Sequence, residues 1–297
     1  MKTLITGSSG LLGTEIVKQY QEQKLGYHYL KNNKVYNSSG VEVDESKIVF
    51  EKIIHCAANS SQVYNEHYPS QIFEDNVVLV QKIILRFAKK QKPIFIFPSS
   101  IVVYGDSYYA AHEDRNIPAP TTLYGVSKLA AEHIVNYYTK IGLISGFNFR
   151  LSALCAIDAK KGALAHIISK LQNIELPKLE LYGDYPGSVK PYTLASEVAK
   201  FFRLFSGNKQ FQPLYPAYNL CVNDNISINE IADIAMRQLG IFKDIEWLGD
   251  KSLYQGDNKV LLADSYLAEQ EFGWGRYSSF HTSEKVIKYV CDMSSTR

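Results

Sequence analysis

The chain has 297 residues, of which 46% are hydrophobic, and its formal net charge is +2. A chain of this length and apolar content can bury a full core, so we expect one large domain or two closely joined lobes. The small net charge argues against nucleic acid or an anionic membrane as the main partner. The apolar runs are also much shorter than the roughly 20 residues of a membrane span.

The cysteines and histidines show no metal or redox pattern. The four cysteines have no Cys-x-x-Cys spacing, and three of them lie in apolar runs, as expected of reduced, packed thiols. The seven histidines form no H-E-x-x-H or H-x-x-x-H pattern, so we expect no metal site. The first three residues run directly into a strand-like segment, which leaves no room for a signal peptide. We therefore expect a cytoplasmic protein.

Short apolar runs alternate with longer amphipathic ones in the first half of the chain. The predicted elements, in order, are a strand at 3–6, a helix at 11–23, a weak strand near 27–30, a strand at 52–58, a helix near 71–90, a strand at 94–100, a helix at 124–140 and a strand at 147–155. Apolar strands alternating with helices are typical of a parallel sheet covered on both faces. We predict a doubly wound α/β domain of the Rossmann type over residues 1–150.

The pattern loosens after residue 150. We predict a smaller C-terminal α/β lobe over 151–297 that mainly binds substrate, with elements near 191–222 returning to the first domain. Ser227 and Glu230 form a capping box at the start of a helix predicted over 227–240, and Gly240 suits its C-terminal cap. There is no repeat or linker, so the lobe should pack directly on the first domain.

A glycine-rich segment joins the first strand to the first helix. In LITGSSGLLG (4–13), Gly7 permits a tight turn, Gly10 lets the backbone approach a pyrophosphate, and Gly13 lets helix and strand pack closely. The helix N-terminus then offers free N–H groups to phosphate oxygens. We predict a dinucleotide-binding loop that also includes Ser9 and Leu11; the alternative is a glycine-rich turn without a ligand.

The end of the second strand bears on the choice of cofactor. Dinucleotide folds usually carry an acid there, which holds the adenosine ribose hydroxyls. Here Lys31 stands at the position that corresponds to that acid, followed by Asn32. A cation can pair with a 2′-phosphate, so NADP(H) is slightly favoured over NAD(H). The alternative is that Lys31 is an ordinary solvated lysine.

Tyr-x-x-x-Lys occurs three times, at Tyr20/Lys24, Tyr27/Lys31 and Tyr124/Lys128. So short a pattern also arises by chance, and context must decide. The first pair falls at a helix end, and the second lies in a strand, where i and i+4 are more than ~13 Å apart. Tyr124 and Lys128 share one face of a helix, so the ammonium can approach the phenol and lower its pKa.

Several motifs in order carry a family resemblance. They are TGSSGLLG (6–13), HCAA (55–58), FIFPSSIVVYG (95–105), TTLYGVSKLAAE (121–132), KPYTLASEV (190–198), YNLCVNDNISINEIA (218–232) and EFGWGRYS (271–278). Together they resemble the extended short-chain dehydrogenase/reductase family, whose members are mostly nucleotide-sugar epimerases, dehydratases and reductases. The resemblance covers nearly the whole chain and implies an NAD(P)-dependent enzyme that acts on a small molecule.

The resemblance assigns roles to three residues. It implies that Tyr124 is the general acid/base, and that Lys128 lowers the pKa of Tyr124 and holds the nicotinamide ribose. Ser100, at the carboxyl end of its strand, would hydrogen-bond the reacting oxygen, at the edge where sites form in open parallel sheets. Hydride would pass between cofactor and substrate carbon while Tyr124 moves the proton.

Other features of the family map onto the chain as well. The resemblance places Ala57 and Ala58 beside the cofactor, and Asn76 on a neighbouring helix that supports the site. A partly buried helical asparagine without a functional role is the alternative for Asn76. The apolar stripes at 71–90 and 125–140 match the helices that pair such enzymes, so a homodimer is expected unless these stripes pack within the chain.

The segment after Ser100 narrows the reaction. Family dehydratases and decarboxylases carry an acid there, but this chain has Ile101 and Val102, which cannot transfer protons. The epimerase–reductase subfamily that uses a Cys/His pair carries the cysteine about two residues after Ser100, and this chain has no cysteine there. What remains is a 4-keto reductase or a C4 epimerase that retains NAD, and the missing acid near Lys31 favours the reductase. A non-catalytic NADP(H)-binding sensor is the alternative from another class.

The substrate phosphate contacts of the family are altered. The segment Arg150-Leu-Ser-Ala153 lacks the usual Asn, Lys190 replaces an Arg, and Tyr254 replaces another. Lysine lacks the bidentate fork that matches phosphate. We predict substrate contacts at Arg150, Lys190 and Tyr254, with a nucleotide-linked sugar as the expected substrate.

Overall fold

A computed structural model describes residues 1–60, 67–88, 91–206, 213–249 and 258–295. The strands in these segments are β1 (Thr3–Thr6), β2 (His28–Lys31), β3 (Lys34–Asn37), β4 (Lys52–His55), β5 (Ile94–Ser100), β6 (Ser107–Ala111), β7 (Ser145–Leu151), β8 (Ala153–Cys155), β9 (Lys178–Leu181), β10 (Val189–Lys190), β11 (Tyr192–Leu194), β12 (Tyr218–Leu220), β13 (Ile226–Ser227), β14 (Asp244–Trp247) and β15 (Leu261–Ala263). The α-helices are α1 (Leu11–Glu22), α2 (Pro69–Phe73), α3 (Leu79–Phe87), α4 (Leu123–Lys140), α5 (Ala163–Gln172), α6 (Ala195–Leu204), α7 (Ile228–Leu239), α8 (Tyr266–Phe272) and α9 (Ser283–Ser295). None of these described helices is long and apolar enough to cross a membrane.

Seven strands form the main sheet, in the order β12-β7-β5-β4-β1-β2-β3. All neighbours in it are parallel except β2 and β3, which form an antiparallel hairpin. The predicted doubly wound α/β fold is confirmed. The antiparallel strand β3 at the edge of the sheet differs from the predicted parallel sheet, and its cause is local. Asn32 and Asn33 both adopt positive φ, which asparagine tolerates in a two-residue hairpin turn.

Apolar residues cover both faces of this sheet. On one face, the strand residues Phe147 and Phe149 pack with Phe201 of α6 and with Ile16 of α1. On the other face, α3 and α4 contribute buried residues that pack against β4 and β5. This two-sided burial explains why the strands read as continuous apolar runs.

The second half of the chain builds its own core. Helices α5, α7 and α9 pack with β9 and β11 in a separate apolar cluster. Helix α7 begins with the predicted capping box between Ser227 and Glu230 and ends at Gly240, which has a φ of +66°, so these predicted caps are confirmed. Strand β12 pairs with β7, and α6 lies in the core with α1, so part of the segment near 191–222 belongs to the main sheet and its cover.

Candidate active site

The glycine loop forms a cradle that side chains would fill. Gly7 has a φ of +67°, and a Cβ on it would lie 2.4 Å from the backbone nitrogen of Ala57. A Cβ on Gly13 would lie 2.0 Å from the Gly7 carbonyl oxygen. Gly10 is exposed and is the N-cap residue of α1. Because it has no side chain to accept hydrogen bonds, the N-terminal N–H groups of the helix remain open. Ser9 is exposed and Leu11 half-buried beside it. These residues fit a dinucleotide pyrophosphate.

The segment after β4 lies against this loop. The Thr6 hydroxyl bonds Nδ1 of His55 at 2.8 Å and accepts a 3.4 Å hydrogen bond from the backbone N–H of Ala57. Burial, with a smaller effect of the Lys128 charge, lowers the pKa of His55 to about 3, so the imidazole is neutral at physiological pH. Ala57 is half-buried and Ala58 exposed, at the same sheet edge as the glycine loop.

Lys31 lies at the same edge of the sheet. In the parallel pairing of β1 and β2, Leu4 is opposite His28 and Ile5 is opposite Tyr29. The same register, continued by two residues along each chain, places Lys31 level with Gly7. Lys31 and Asn32 are exposed. The turn that follows is anchored because Arg86 donates hydrogen bonds to the side chain and to the carbonyl of Asn33.

Ser100, Tyr124 and Lys128 are positioned by the end of β5 and the start of α4. Ser100 is the last residue of β5, and Thr122 caps α4 by accepting a 3.0 Å hydrogen bond from the N–H of Gly125. A Cβ on Gly125 would lie 2.9 Å from the carbonyl oxygen of Val102. The first turn of α4 therefore rests directly on the segment that follows Ser100, which brings Tyr124 and Ser100 to one edge of the sheet.

Lys128 is buried, and its ammonium makes short contacts. Its Nζ donates a 2.7 Å hydrogen bond to the Pro98 carbonyl, lies 4.6 Å from the ring centre of Phe97 and lies 5.8 Å from that of Tyr124. Burial lowers the pKa of Lys128 to about 8, against an opposing effect of Cys56 and Glu132.

The expected lowering of the Tyr124 pKa is not seen. Burial raises the pKa of this phenol to about 12. The physical reason is that the Lys128 ammonium donates to the Pro98 carbonyl rather than to the phenol, so desolvation dominates. Tyr124 is therefore protonated at neutral pH.

Asn76 joins two parts of the site. It lies in a π-helical turn (Glu74–Val78) between α2 and α3, and is buried. Its Nδ2 donates to the Ser127 hydroxyl and to the Asn59 carbonyl, both at 2.9 Å, and its Oδ1 accepts from the Asn59 N–H at 2.6 Å. Ser127 in turn donates to the carbonyl of Tyr124 at 2.8 Å. The asparagine thus ties the segment after β4 to the turn of α4 that carries Tyr124 and Lys128.

The predicted substrate residues are distributed differently. Arg150 is only 3% exposed, and its guanidinium is engaged by Glu132 and by the Tyr104 hydroxyl. Because the guanidinium is buried and already paired, we do not include Arg150 among the proposed substrate contacts. Lys190 is half-buried at the end of β10, and Tyr254 lies outside the described residues.

A cavity of about 540 Å³ lies in the second lobe between α5 and residues 180–189. Its lining combines aromatic and charged side chains, among them Tyr108, Tyr182, Tyr185, Lys170, Lys259, Glu180 and Asp184. Lys170 is held there by a 2.8 Å hydrogen bond to the Glu180 carbonyl and lies 4.8 Å from the Tyr182 ring centre. Among the described residues, no group of three or more His, Cys, Asp and Glu side chains could hold a metal ion.

The sequence interpretation missed four residues that support the site. Asn59 and Ser127 bond Asn76, and Ser99 and Glu132 lie in the network around Arg150. A signal existed for two of them, because Ser99 directly precedes Ser100, and Glu132 follows Lys128 by one helical turn.

Comparisons with known proteins agree with this fold. A model of the NAD dependent epimerase/dehydratase family matches residues 3–221. A UDP-glucose 4-epimerase of Corynebacterium glutamicum is 22% identical over 97% of this chain and 93% of that protein. The crystal structure of a UDP-glucuronic acid 4-epimerase from Bacillus cereus, in complex with UDP-glucuronic acid and NAD, is 18% identical with a TM-score of 0.80 and covers 100% of this chain and 99% of that one. RMD from Pseudomonas aeruginosa, complexed with NADPH, has a TM-score of 0.80 at 16% identity, over 100% of this chain and 99% of that one.

Proposed function

Because the chain belongs to the NAD-dependent epimerase/dehydratase family, we propose that it transfers hydride at one carbon of a nucleotide-linked sugar, as a 4-keto reductase. The observation that carries this proposal is the placement of Ser100, Tyr124 and Lys128 at the same sheet edge as the glycine cradle. A bound nicotinamide cofactor supplies the hydride. The protein's own groups orient the sugar and move the proton.

The protonation states fit the reductive direction. Reduction of a ketone needs a proton donor at the carbonyl oxygen. A tyrosine carries its proton at neutral pH, and burial raises the pKa of Tyr124 further, to about 12. Ser100 holds the same oxygen by a hydrogen bond. The Lys128 ammonium stabilises negative charge that develops on the phenol oxygen as the proton leaves. The positions after Ser100 are Ile101 and Val102, so Tyr124 carries out the proton transfer without a second acid from that segment.

A C4 epimerase is the second candidate, and the names of several relatives favour it. An epimerase must first oxidise its substrate, which requires Tyr124 as a base, and must retain its cofactor throughout. The exposed Lys31 at the end of β2, where an acid usually holds the adenosine ribose, supports the reductase instead.

We further propose that NADP(H) is the preferred cofactor and that the 540 Å³ cavity takes the nucleotide. Lys31 provides a cation level with the glycine loop, where a 2′-phosphate can pair with it. In the cavity, tyrosine rings suit a base, and Lys170 and Lys259 suit phosphate. Lys190, at the end of β10 next to the cavity-lining Val189, remains a proposed substrate contact.

A homodimer is also proposed. Part of the apolar stripes of α3 and α4 packs within the chain against β4 and β5, but the outer surface of α4 leaves other apolar side chains exposed. Val126 and Tyr137 of α4, and Ile141 at its C-terminal cap, expose 39%, 57% and 56% of their surface at helical spacing, and Leu85 of α3 is exposed as well. Sedimentation equilibrium of the wild-type chain measures this state directly, and a monomer at micromolar concentration would contradict it.

One experiment separates the two reactions. The purified protein is incubated with NADPH and a 4-keto nucleotide sugar, and absorbance is followed at 340 nm. The reductase consumes NADPH in proportion to the ketone, and the protein is isolated without bound nicotinamide. An epimerase instead carries tightly bound NAD, which absorbs at 340 nm after borohydride reduction, and interconverts 4-hydroxyl epimers without net NADPH loss. A protein that binds NADPH but does neither would be a sensor, and the proposal would be wrong.

A further inference from the structure

A buried ion pair lies one helical turn beyond Lys128. Glu132 and Arg150 are 2% and 3% exposed. The guanidinium donates from Nε to Oε1 at 3.0 Å and from Nη2 to Oε2 at 2.8 Å, the parallel two-bond geometry that makes such pairs strong and well oriented. Because Glu132 belongs to α4 and Arg150 to β7, the pair fixes this helix against the sheet.

The same ion pair holds the backbone on both sides of Ser100. On the N-terminal side, the Ser99 hydroxyl donates to Oε1 of Glu132. On the C-terminal side, Nη1 of Arg150 donates to the Tyr104 hydroxyl at 2.8 Å, and that hydroxyl donates to Oδ1 of Asn219 at 3.0 Å. Ser99 and Tyr104 are buried, so neither bond is made to solvent.

We infer that Glu132 is a positioning residue, which fixes Ser100 relative to Tyr124 and Lys128. This inference rests on the proposed function, because it assigns Glu132 to the reaction that those three residues carry out. Glu132 reaches Ser100 through Ser99 and shares α4 with both other groups. A reacting group misplaced by about 1 Å can cost about a hundredfold in rate.

The charge of Glu132 acts on Lys128 as well. The carboxylate favours the ammonium form and opposes the effect of burial, which lowers the pKa of Lys128 to about 8. Cys56, beside the same amine, acts in the same direction, and Arg150 is the cation paired with Glu132. Without the carboxylate, Lys128 would lose its proton at lower pH.

Two variants and a matched control test the inference. Glu132→Gln removes the charge, and Ser99→Ala removes only the hydroxyl that ties β5 to the pair. The control is Glu197, a buried carboxylate on α6 that accepts hydrogen bonds from the Ser278 hydroxyl at 2.9 Å and from the N–H groups of Ser279 and Phe280. Glu197→Gln and Ser278→Ala reproduce the same chemical changes in another element.

The first readout needs no substrate. The Lys128 side chain is titrated by NMR in protein labelled with 13C-lysine, and Lys128→Met identifies its resonance. We expect the acid dissociation constant of Lys128 to rise about tenfold in Glu132→Gln and to stay within twofold in Glu197→Gln. An unchanged Lys128 titration in Glu132→Gln overturns the charge effect, even if no substrate is found.

The second readout is turnover. We expect Ser99→Ala to lower kcat about tenfold with KM within twofold, and Ser278→Ala to leave both within twofold. Ser99→Ala keeps the ion pair, so it remains informative if Glu132→Gln does not fold. Equal kcat values for Ser99→Ala and Ser278→Ala overturn the positioning effect. A wild-type chain that turns over none of the sugars contradicts the proposed function instead, and the titration still decides whether Glu132 sets the charge of Lys128.

Discussion

Two lysines are buried at opposite edges of the main sheet, and they resemble each other closely. Lys128 is 4% exposed, near the carboxyl ends of the strands, and Lys52 is fully buried at the start of β4, at the amino ends. Burial lowers the pKa of the first to about 8 and of the second to about 7. Both donate to backbone carbonyls: Lys128 to Pro98, and Lys52 to Phe202 and Arg203.

Their neighbours differ, and that difference separates a candidate site from a structural contact. The carbonyls that Lys52 bonds end α6, where a cation is favoured by the helix dipole. Lys128 instead lies beside Tyr124, at the edge that also holds the glycine loop. The lowered pKa therefore reflects only that both lysines are buried. The groups around Lys128, and not its pKa, point to a chemical role for that residue.

Removing the proposed proton donor beside Lys128 is the strongest test of this contrast. Tyr124→Phe keeps the ring and removes the hydroxyl, so we expect kcat to fall by about a thousandfold or more while the cofactor dissociation constant stays within twofold. Steady-state kinetics and fluorescence titration with NADPH measure the two quantities. Tyr20→Phe is the control, because Tyr20 also precedes a lysine by four residues but donates to the Thr3 hydroxyl. Undiminished turnover in Tyr124→Phe would contradict the assignment.

The two lysines can be compared directly by the same substitution. We expect Lys128→Met to lower kcat about a hundredfold, since the phenol loses its cationic neighbour. Lys52→Met should leave kcat within twofold, because its amine bonds only the carbonyls at the end of α6 among the described contacts. Steady-state kinetics under identical conditions measures both. Similar losses of kcat in the two variants would mean that Lys128, too, acts through the fold.

The sequence singled out Tyr124 and Lys128 as candidates because helix periodicity and a preceding apolar strand are local signals. It also predicted the main elements and the caps of α7. The role of Arg150 could not be read locally, since the β5–β7 register sets Ser99 beside Arg150 and brings both to Glu132. The raised pKa of Tyr124 depends on the direction of the Lys128 side chain, which spacing does not specify. The β2–β3 hairpin was not predicted, although the sequence carries a signal for it, because two asparagines between strands favour a tight turn.

The pH dependence of stability sharpens the comparison for Lys52. Its pKa of about 7 in the folded protein lies below the ordinary lysine value of 10.5, so between these values the unfolded chain binds more protons. The free energy of unfolding therefore rises with pH in this window. Relative to Lys52→Met, the wild type should gain about 2 kcal/mol between pH 7 and pH 9. Urea denaturation at several pH values measures the difference, and a difference that falls or stays flat would contradict the buried lysine's effect.

A third lysine, Lys31, also lies at the carboxyl ends of the strands but is not buried. It tests whether this position alone affects the use of the cofactor. Lys31 is exposed and level with Gly7, where a 2′-phosphate can pair with it. We expect Lys31→Asp to lower the ratio of kcat/KM for NADPH to that for NADH about tenfold, because the charge is reversed at the phosphate position. Lys34→Asp is the matched control: Lys34 pairs with Lys31 across the same hairpin, and its ammonium is 2.9 Å from Glu42. If both variants change the ratio equally, the effect is one of general surface charge, and Lys31 does not select the cofactor.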